Sequence, residues 1–171
     1  MGVVKAYLAN QIGFFELGRR TLQRSIVPKL EGMGFEVFEP FYEARDLDFA
    51  KANSIPDFEE KKKYWQNLND IMGKRNCDAM KKSDLVLALL DGGPDVDSGV
   101  ASEIGYYAAL KRGPILALRS DLRGGENIGT SINLQVAYYI IQSGGFITDG
   151  DKSTERWYEE VKKWHDGFVR K

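Results

Sequence analysis

Short apolar runs alternate along this chain with longer stretches in which apolar residues recur at helical spacing. The runs lie at residues 3–9, 36–38, 84–90, 114–119 and 146–148, and they predict five strands. Asp84-Leu-Val-Leu-Ala-Leu-Leu90 is the clearest of them. It is apolar on successive residues, as a strand covered on both faces must be. Helical spacing predicts helices over 14–33, 57–82, 98–110, 131–142 and 153–168. Gly32 and Gly34 stop the first, and Gly144-Gly145 stop the fourth. The second has Tyr64, Trp65, Leu68, Ile71, Met72, Cys77 and Met80 as its expected inner face, with Gly73 as a kink or break. Ser153 is the expected N-cap of the last. Residues 41–56 are polar, aromatic and irregular, a loop with short helical turns and long enough to carry function. Residues 120–130 form a second polar loop.

Strands alternating with helices imply right-handed βαβ units and a parallel sheet. The expected fold is a three-layer α/β domain, flavodoxin-like or Rossmann-like, with a central parallel five-stranded sheet. Connections are short, with no linker or repeat, so residues 1–171 read as one domain. In such sheets ligands bind beyond the carboxyl ends of the strands. Those ends are Ala9-Asn10-Gln11, Phe38-Glu39-Pro40, Leu90-Asp91-Gly92 and Arg119-Ser120-Asp121.

Composition narrows the chemistry. A net charge of −1 offers no field for nucleic acid or an anionic membrane. One cysteine, Cys77, excludes a disulfide within the chain, and with one histidine, His165, a structural zinc site lacks ligands. His165 reads as a surface residue of the last helix, and Cys77 as a small buried hydrophobe. The N-terminus lacks the regions of a signal peptide, and no apolar run nears the ~20 residues that span a bilayer. The expected location is the cytoplasm, with no cofactor and no metal.

The informative segment joins the best strand to the third helix: Leu90-Asp-Gly-Gly-Pro-Asp-Val-Asp97-Ser-Gly-Val-Ala-Ser-Glu103. A Gly-rich loop before a helix suggests a phosphate cradle. Here the Gly-Lys-Ser/Thr ending of a P-loop is missing, and Asp91, Asp95 and Asp97 would repel a phosphate. Carboxylates instead suit a neutral, hydroxyl-rich ligand. Glu103 falls in the second turn, pointing back toward the loop. Paired carboxyls around a sugar serve glycosidic chemistry. Spacing alone is equally met by Asp97 as a plain helix cap and Glu103 as a surface charge. Asp78, in Asn76-Cys-Asp-Ala-Met80, is a third acid or a simple surface aspartate. Tyr7, near the end of the first strand, either donates to a carboxylate or fills the core.

Taken together, these pieces resemble the nucleoside 2-deoxyribosyltransferases: Ala6-Tyr7-Leu8-Ala9, Asn76 to Met80, Asp97 to Tyr106 with its Asp-x5-Glu-x-Gly-Tyr pattern, and Ile132-Asn133-Leu134. The resemblance implies a retaining transfer of 2-deoxyribose between nucleobases. Glu103 would be the nucleophile and Tyr7 would orient it. Asp78 would exchange a proton with the base, and Asp97 would bind the 5′-hydroxyl. Asn133 would complete that hydroxyl site from a neighbouring subunit, so a homo-oligomer is implied, a dimer unit or a hexamer. The partners would be 2′-deoxynucleosides and free bases, purine or pyrimidine. Phe14, Phe41, Tyr42 and Trp65 are candidates to keep water from the glycosyl ester.

The chain departs from well-known bacterial members in a longer segment at 46–60 and in a last helix that runs on to Lys171, where some members place a terminal tyrosine carboxylate. Two other functions compete. One is 2′-deoxynucleoside 5′-phosphate N-hydrolysis, against which Asp97 and Asn133 argue. The other is a non-catalytic nucleotide-sensing module on the same fold.

Overall fold

The computed structural model of the protein describes residues 3–123 and 125–170. Five parallel strands form one sheet in the order β2-β1-β3-β4-β5. They are β1 (Val4–Asn10), β2 (Phe35–Phe38), β3 (Leu85–Leu89), β4 (Ile115–Arg119) and β5 (Phe146–Asp149). Every strand run expected from the sequence is a strand, within two residues at each end.

Alternation along each strand sorts its side chains into two cores. Ala6, Leu8, Leu85, Leu87, Leu89 and Leu116 pack with Leu22, Leu30, Trp157 and Val161 on one face. Tyr7, Ala9, Val86, Ala88 and Ala117 pack with Val100, Ile104, Tyr107 and Ile140 on the other. The helices behind these faces are α1 (Glu16–Thr21), α2 (Val27–Gly32) and α8 (Ser153–Val169) on the first. On the second lie α5 (Phe58–Lys82), α6 (Ser98–Leu110) and α7 (Leu134–Gln142). Trp157 is fully buried, and its Nε1 donates to the Leu116 carbonyl at 3.1 Å, which docks α8 on β4. The order reverses between β1 and β3, so the crevice at their carboxyl ends is the expected binding place. Two short helices, α3 (Pro40–Glu43) and α4 (Phe49–Ser54), lie above it.

Several local expectations need correcting. The helix expected over 14–33 is divided: a 3₁₀ turn at Ile12–Phe14 precedes α1, and a π turn at Leu22–Ile26 separates α1 from α2. Pro28 explains the π turn. It has no amide to donate to Arg24, and its ring crowds that carbonyl, so the helix widens and the Val27 amide reaches Leu22 instead. Gly73 does not break α5. It is exposed, and the 25-residue helix runs through it. Of the expected inner face of α5 only Leu68 and Met80 are buried, and Cys77 is half-buried rather than core. Helix α7 starts at Leu134 because Asn133 caps it, accepting from the amides of Gln135 and Val136. Ser153 is the first residue of α8, not its cap; Lys152, in a left-handed conformation, holds the cap position. His165 is not on the surface. Its side chain is 12% exposed and meets the Phe35 ring edge-on at 4.8 Å. The expected reach of that helix to Lys171 lies outside the described residues. Among the described residues no helix is long and apolar enough to cross a membrane.

Candidate active site

At the carboxyl end of β1 the even-numbered residues point to the α1/α8 side and Tyr7 points to the α6 side. Tyr7 is wholly buried, stacked on Phe38 of β2 at 5.5 Å. Its hydroxyl donates to Glu103 Oε1 at 2.5 Å. Glu103 sits in the second turn of α6, on the helix face turned toward the sheet edge. A cavity of about 500 Å³ opens in front of it, a volume suited to a nucleoside-sized ligand.

Asp97 starts α6 as its N-cap. Its Oδ2 accepts from the amides of Gly99 at 2.9 Å and Val100 at 3.4 Å. The carboxylate also lines the Glu103 cavity. Asp91 and Asp95 do not. Asp91 accepts from Ser120 and from the Asp121 amide, tying the loop after β3 to the loop after β4. Asp95 accepts from the Val96 and Asn133 amides. Arg119, fully buried, donates to the carbonyls of Leu90, Gly93 and Pro94 and so shapes the same loop.

Burial is the largest influence on Glu103, and the Asp97 and Glu39 charges add to it. The Tyr7 hydrogen bond opposes them, and the carboxyl is pushed up to about 7. Tyr7 is driven far above its ordinary value by burial and by Glu103, so it stays protonated and acts as a donor. Glu39, which the sequence did not single out, is 4% exposed. It caps α3, accepting from the Phe41 and Tyr42 amides and from Asn10 Nδ2.

Asp78 stands apart. Its carboxylate is bound by Lys74 at 2.5 Å and faced by Lys81 at 3.8 Å, which hold it below the usual carboxylate range. It borders an adjoining groove with Tyr42, Arg45 and Lys82. The α5 residues that line the Glu103 cavity are Met72, Arg75 and Asn76. Two positions along a helix turn a side chain by about 200°, so Asn76 and Asp78 face different ways. The spacing of Met72, Arg75 and Asn76, at i, i+3 and i+4, was the available signal for this face.

Of the aromatic candidates, Phe14 and Phe41 line the cavity, joined by Phe49, while Tyr42 borders the adjoining groove. Trp65 packs behind Phe49 at 5.9 Å. Gly13 lets the Phe41 ring lie where any Cβ would stand, 2.1 Å from it. Asn133 is not among the cavity residues of its own chain. No cluster of three or more His, Cys, Asp or Glu suited to a metal ion occurs among the described residues.

A family model described as nucleoside 2-deoxyribosyltransferase matches residues 6–135, from β1 into α7. No curated protein sequence matches the chain. Among solved structures it is similar to the 2-deoxyribosyltransferase of Bacillus psychrosaccharolyticus, with 19% identity, 90% of each chain covered and a TM-score of 0.60. A 2-deoxyribosyltransferase from Leishmania mexicana aligns over 91% of this chain and 97% of its own, with 18% identity and a TM-score of 0.58. The CMP N-glycosidase BcmB of Clostridium botulinum aligns over 91% and 96%, with 17% identity and a TM-score of 0.51. These likenesses carry the fold. The family match covers most of the chain, including Tyr7, Asp97, Glu103 and Asn133. On that match, the chain belongs to the nucleoside 2-deoxyribosyltransferases, a family of enzymes.

Proposed function

We propose that this protein moves the 2-deoxyribosyl group of a purine or pyrimidine 2′-deoxynucleoside from one base to another, through a covalent intermediate on Glu103, in nucleoside salvage. The carrying observation is the Tyr7–Glu103 hydrogen bond, its donor wholly buried, opening onto a cavity that Asp97 also lines. The ionised Glu103 attacks C1′. The N-glycosidic bond breaks toward the base, which leaves with that electron pair and gains a proton. The deoxyribosyl ester then yields to a ring nitrogen of a second base, which bonds to C1′ as the ester bond breaks and gives up its N–H proton, and the carboxylate is regenerated. Two inversions retain the β configuration. Tyr7 fixes the attacking oxygen, and Asp97 holds the 5′-hydroxyl with the lone pairs its capping bonds leave.

Two residues of α5 compete for the base. The family resemblance assigns proton exchange to Asp78, whereas position in the cavity favours contact by the Asn76 amide. If Asp78 acts, Asp78→Asn abolishes exchange; if Asn76 does, Asn76→Ala does so and Asp78→Asn leaves it nearly intact.

Asn133 serves a second subunit. In support, Leu134, Tyr138 and Ile141 form an exposed stripe on α7, each more than half exposed, directly beside it. Light scattering that finds only monomer at assay concentration would remove this part of the reading.

Incubation with deoxyadenosine and cytosine should yield deoxycytidine, or a purine pair should exchange if the pocket takes only purines. The second reading, N-hydrolysis of 2′-deoxynucleoside 5′-phosphates, draws on Arg19 and Arg75 in the cavity wall. Against it, Asp97 would face a phosphate dianion. Monophosphate hydrolysis without any base exchange would establish it instead.

A further inference from the structure

The cover of the cavity is held at its middle by one ion pair to which the proposed chemistry assigns no role. Pro40, Phe41, Ala44 and Phe49 roof the space before Glu103. Glu39 caps α3 and ties the start of this roof to Asn10 of β1, and Asp48 caps α4 from within the segment. Between them, among the described residues, a single side chain from elsewhere bonds to residues 43–48. Arg75 of α5 donates from Nη1 to Asp46 Oδ1 at 2.6 Å and to the Glu43 carbonyl at 2.9 Å. Its Nη2 donates to Asp46 Oδ2 at 2.8 Å. The contact is a two-pronged guanidinium–carboxylate fork, which fixes orientation as well as distance. Arg75 lines the Glu103 cavity and, with Asp46, the adjoining groove, so the fork ties roof to wall between the two.

We propose that the Arg75–Asp46 fork is a positioning clamp that keeps the segment 40–54 closed over Glu103 and so decides how often water, rather than a base, resolves the glycosyl ester. The consequence for turnover rests on the transferase reading above. In the competing step the water oxygen bonds to C1′ as the C1′–Glu103 ester bond breaks. The carboxylate is regenerated, a proton passes to solvent, and free deoxyribose leaves. Asp46 is 60% and Arg75 37% exposed on their side chains, so the fork adds little to global stability. Its effect is on local opening of the roof.

The test compares the wild-type protein with Asp46→Asn and Arg75→Lys, the latter keeping the charge but losing the fork. Two measurements are made: hydrogen–deuterium exchange of residues 40–54, and the ratio of deoxyribose released to base exchanged. Both variants should exchange roof amides several-fold faster, with the melting temperature nearly unchanged, and should release more deoxyribose per base exchanged. Roof protection equal to wild type in both variants would overturn the clamp. So would an unchanged ratio. A wild-type protein that exchanges no bases would remove the transferase reading, while the amide measurement would still decide the clamp.

Discussion

Tyr7 and Glu103 lie 96 positions apart, on the first strand and the sixth helix, and are joined at 2.5 Å by a hydrogen bond whose donor is wholly buried. While Glu103 is ionised the bond runs from Tyr7 to Glu103, because burial and the neighbouring carboxylate keep the phenol protonated. It works against the burial and the Asp97 and Glu39 charges that favour the neutral acid at Glu103. Tyr7→Phe should therefore lower kcat by about 10- to 100-fold, the range of a hydrogen bond to a charged group. It should also move the acidic limb of the kcat/KM profile to higher pH. A variant with reduced rate but an unmoved limb would contradict this account of Tyr7.

On the proposed mechanism Glu103 must be ionised to attack, and its carboxyl is pushed up to about 7. In the wild-type protein kcat/KM should climb about tenfold per pH unit below that point and level off above it. A flat profile between pH 5 and 7 would mean that another group carries the reaction.

The same displaced titration costs stability. Between the ordinary value of 4.5 and about 7 the folded protein holds a proton at Glu103 that the unfolded chain releases. Stability from this group thus falls as pH rises across that window, and the cost is complete above pH 7. Glu103→Gln should be inactive yet more stable by about 3 kcal/mol at pH 8, with the gain vanishing near pH 4. Chemical denaturation at the two pH values checks this.

Asp97 serves two partners, the first turn of α6 and, by proposal, the substrate. Asp97→Asn keeps a capping oxygen, so it should raise the KM for deoxynucleoside with little loss of stability. Asp97→Ala should do both, losing about 1 kcal/mol. Equal KM values in wild type and Asp97→Asn would leave the carboxylate as a cap alone.

Arg119 is a fully buried cation whose three bonds end on backbone carbonyls. Arg119→Ala should cost about 3 kcal/mol, measured by urea denaturation, because those carbonyls lose their donors and the cavity stays.

The sheet was readable because parallel strands are covered on both faces, so 84–90 stands out as an unbroken apolar run. The start of α6 at Asp97 was equally plain, since cap and glycine loop are local signals. Other features depend on contacts between distant segments. His165 looks polar in its own helix and is largely covered because Phe35 comes to it. Asp78 drew attention as an acid in a matching motif, yet the helix turns Asn76 toward the cavity and leaves Asp78 to Lys74. Glu39 carries no local sign of its importance; only the fold brings the end of β2 beside Tyr7.

Asp97 and Glu103 belong to one rigid helix start, six positions apart. On the proposed mechanism that spacing acts as a ruler, with about 9 Å of axial rise between the hydroxyl-binding Asp97 and the attacking Glu103. On the proposed reading, sugars would be sorted by the span from their terminal oxygen to their anomeric carbon. A single residue inserted between the two would swing Glu103 about 100° around the axis and off the cavity altogether. This stretch should tolerate substitution far better than it tolerates a change of length.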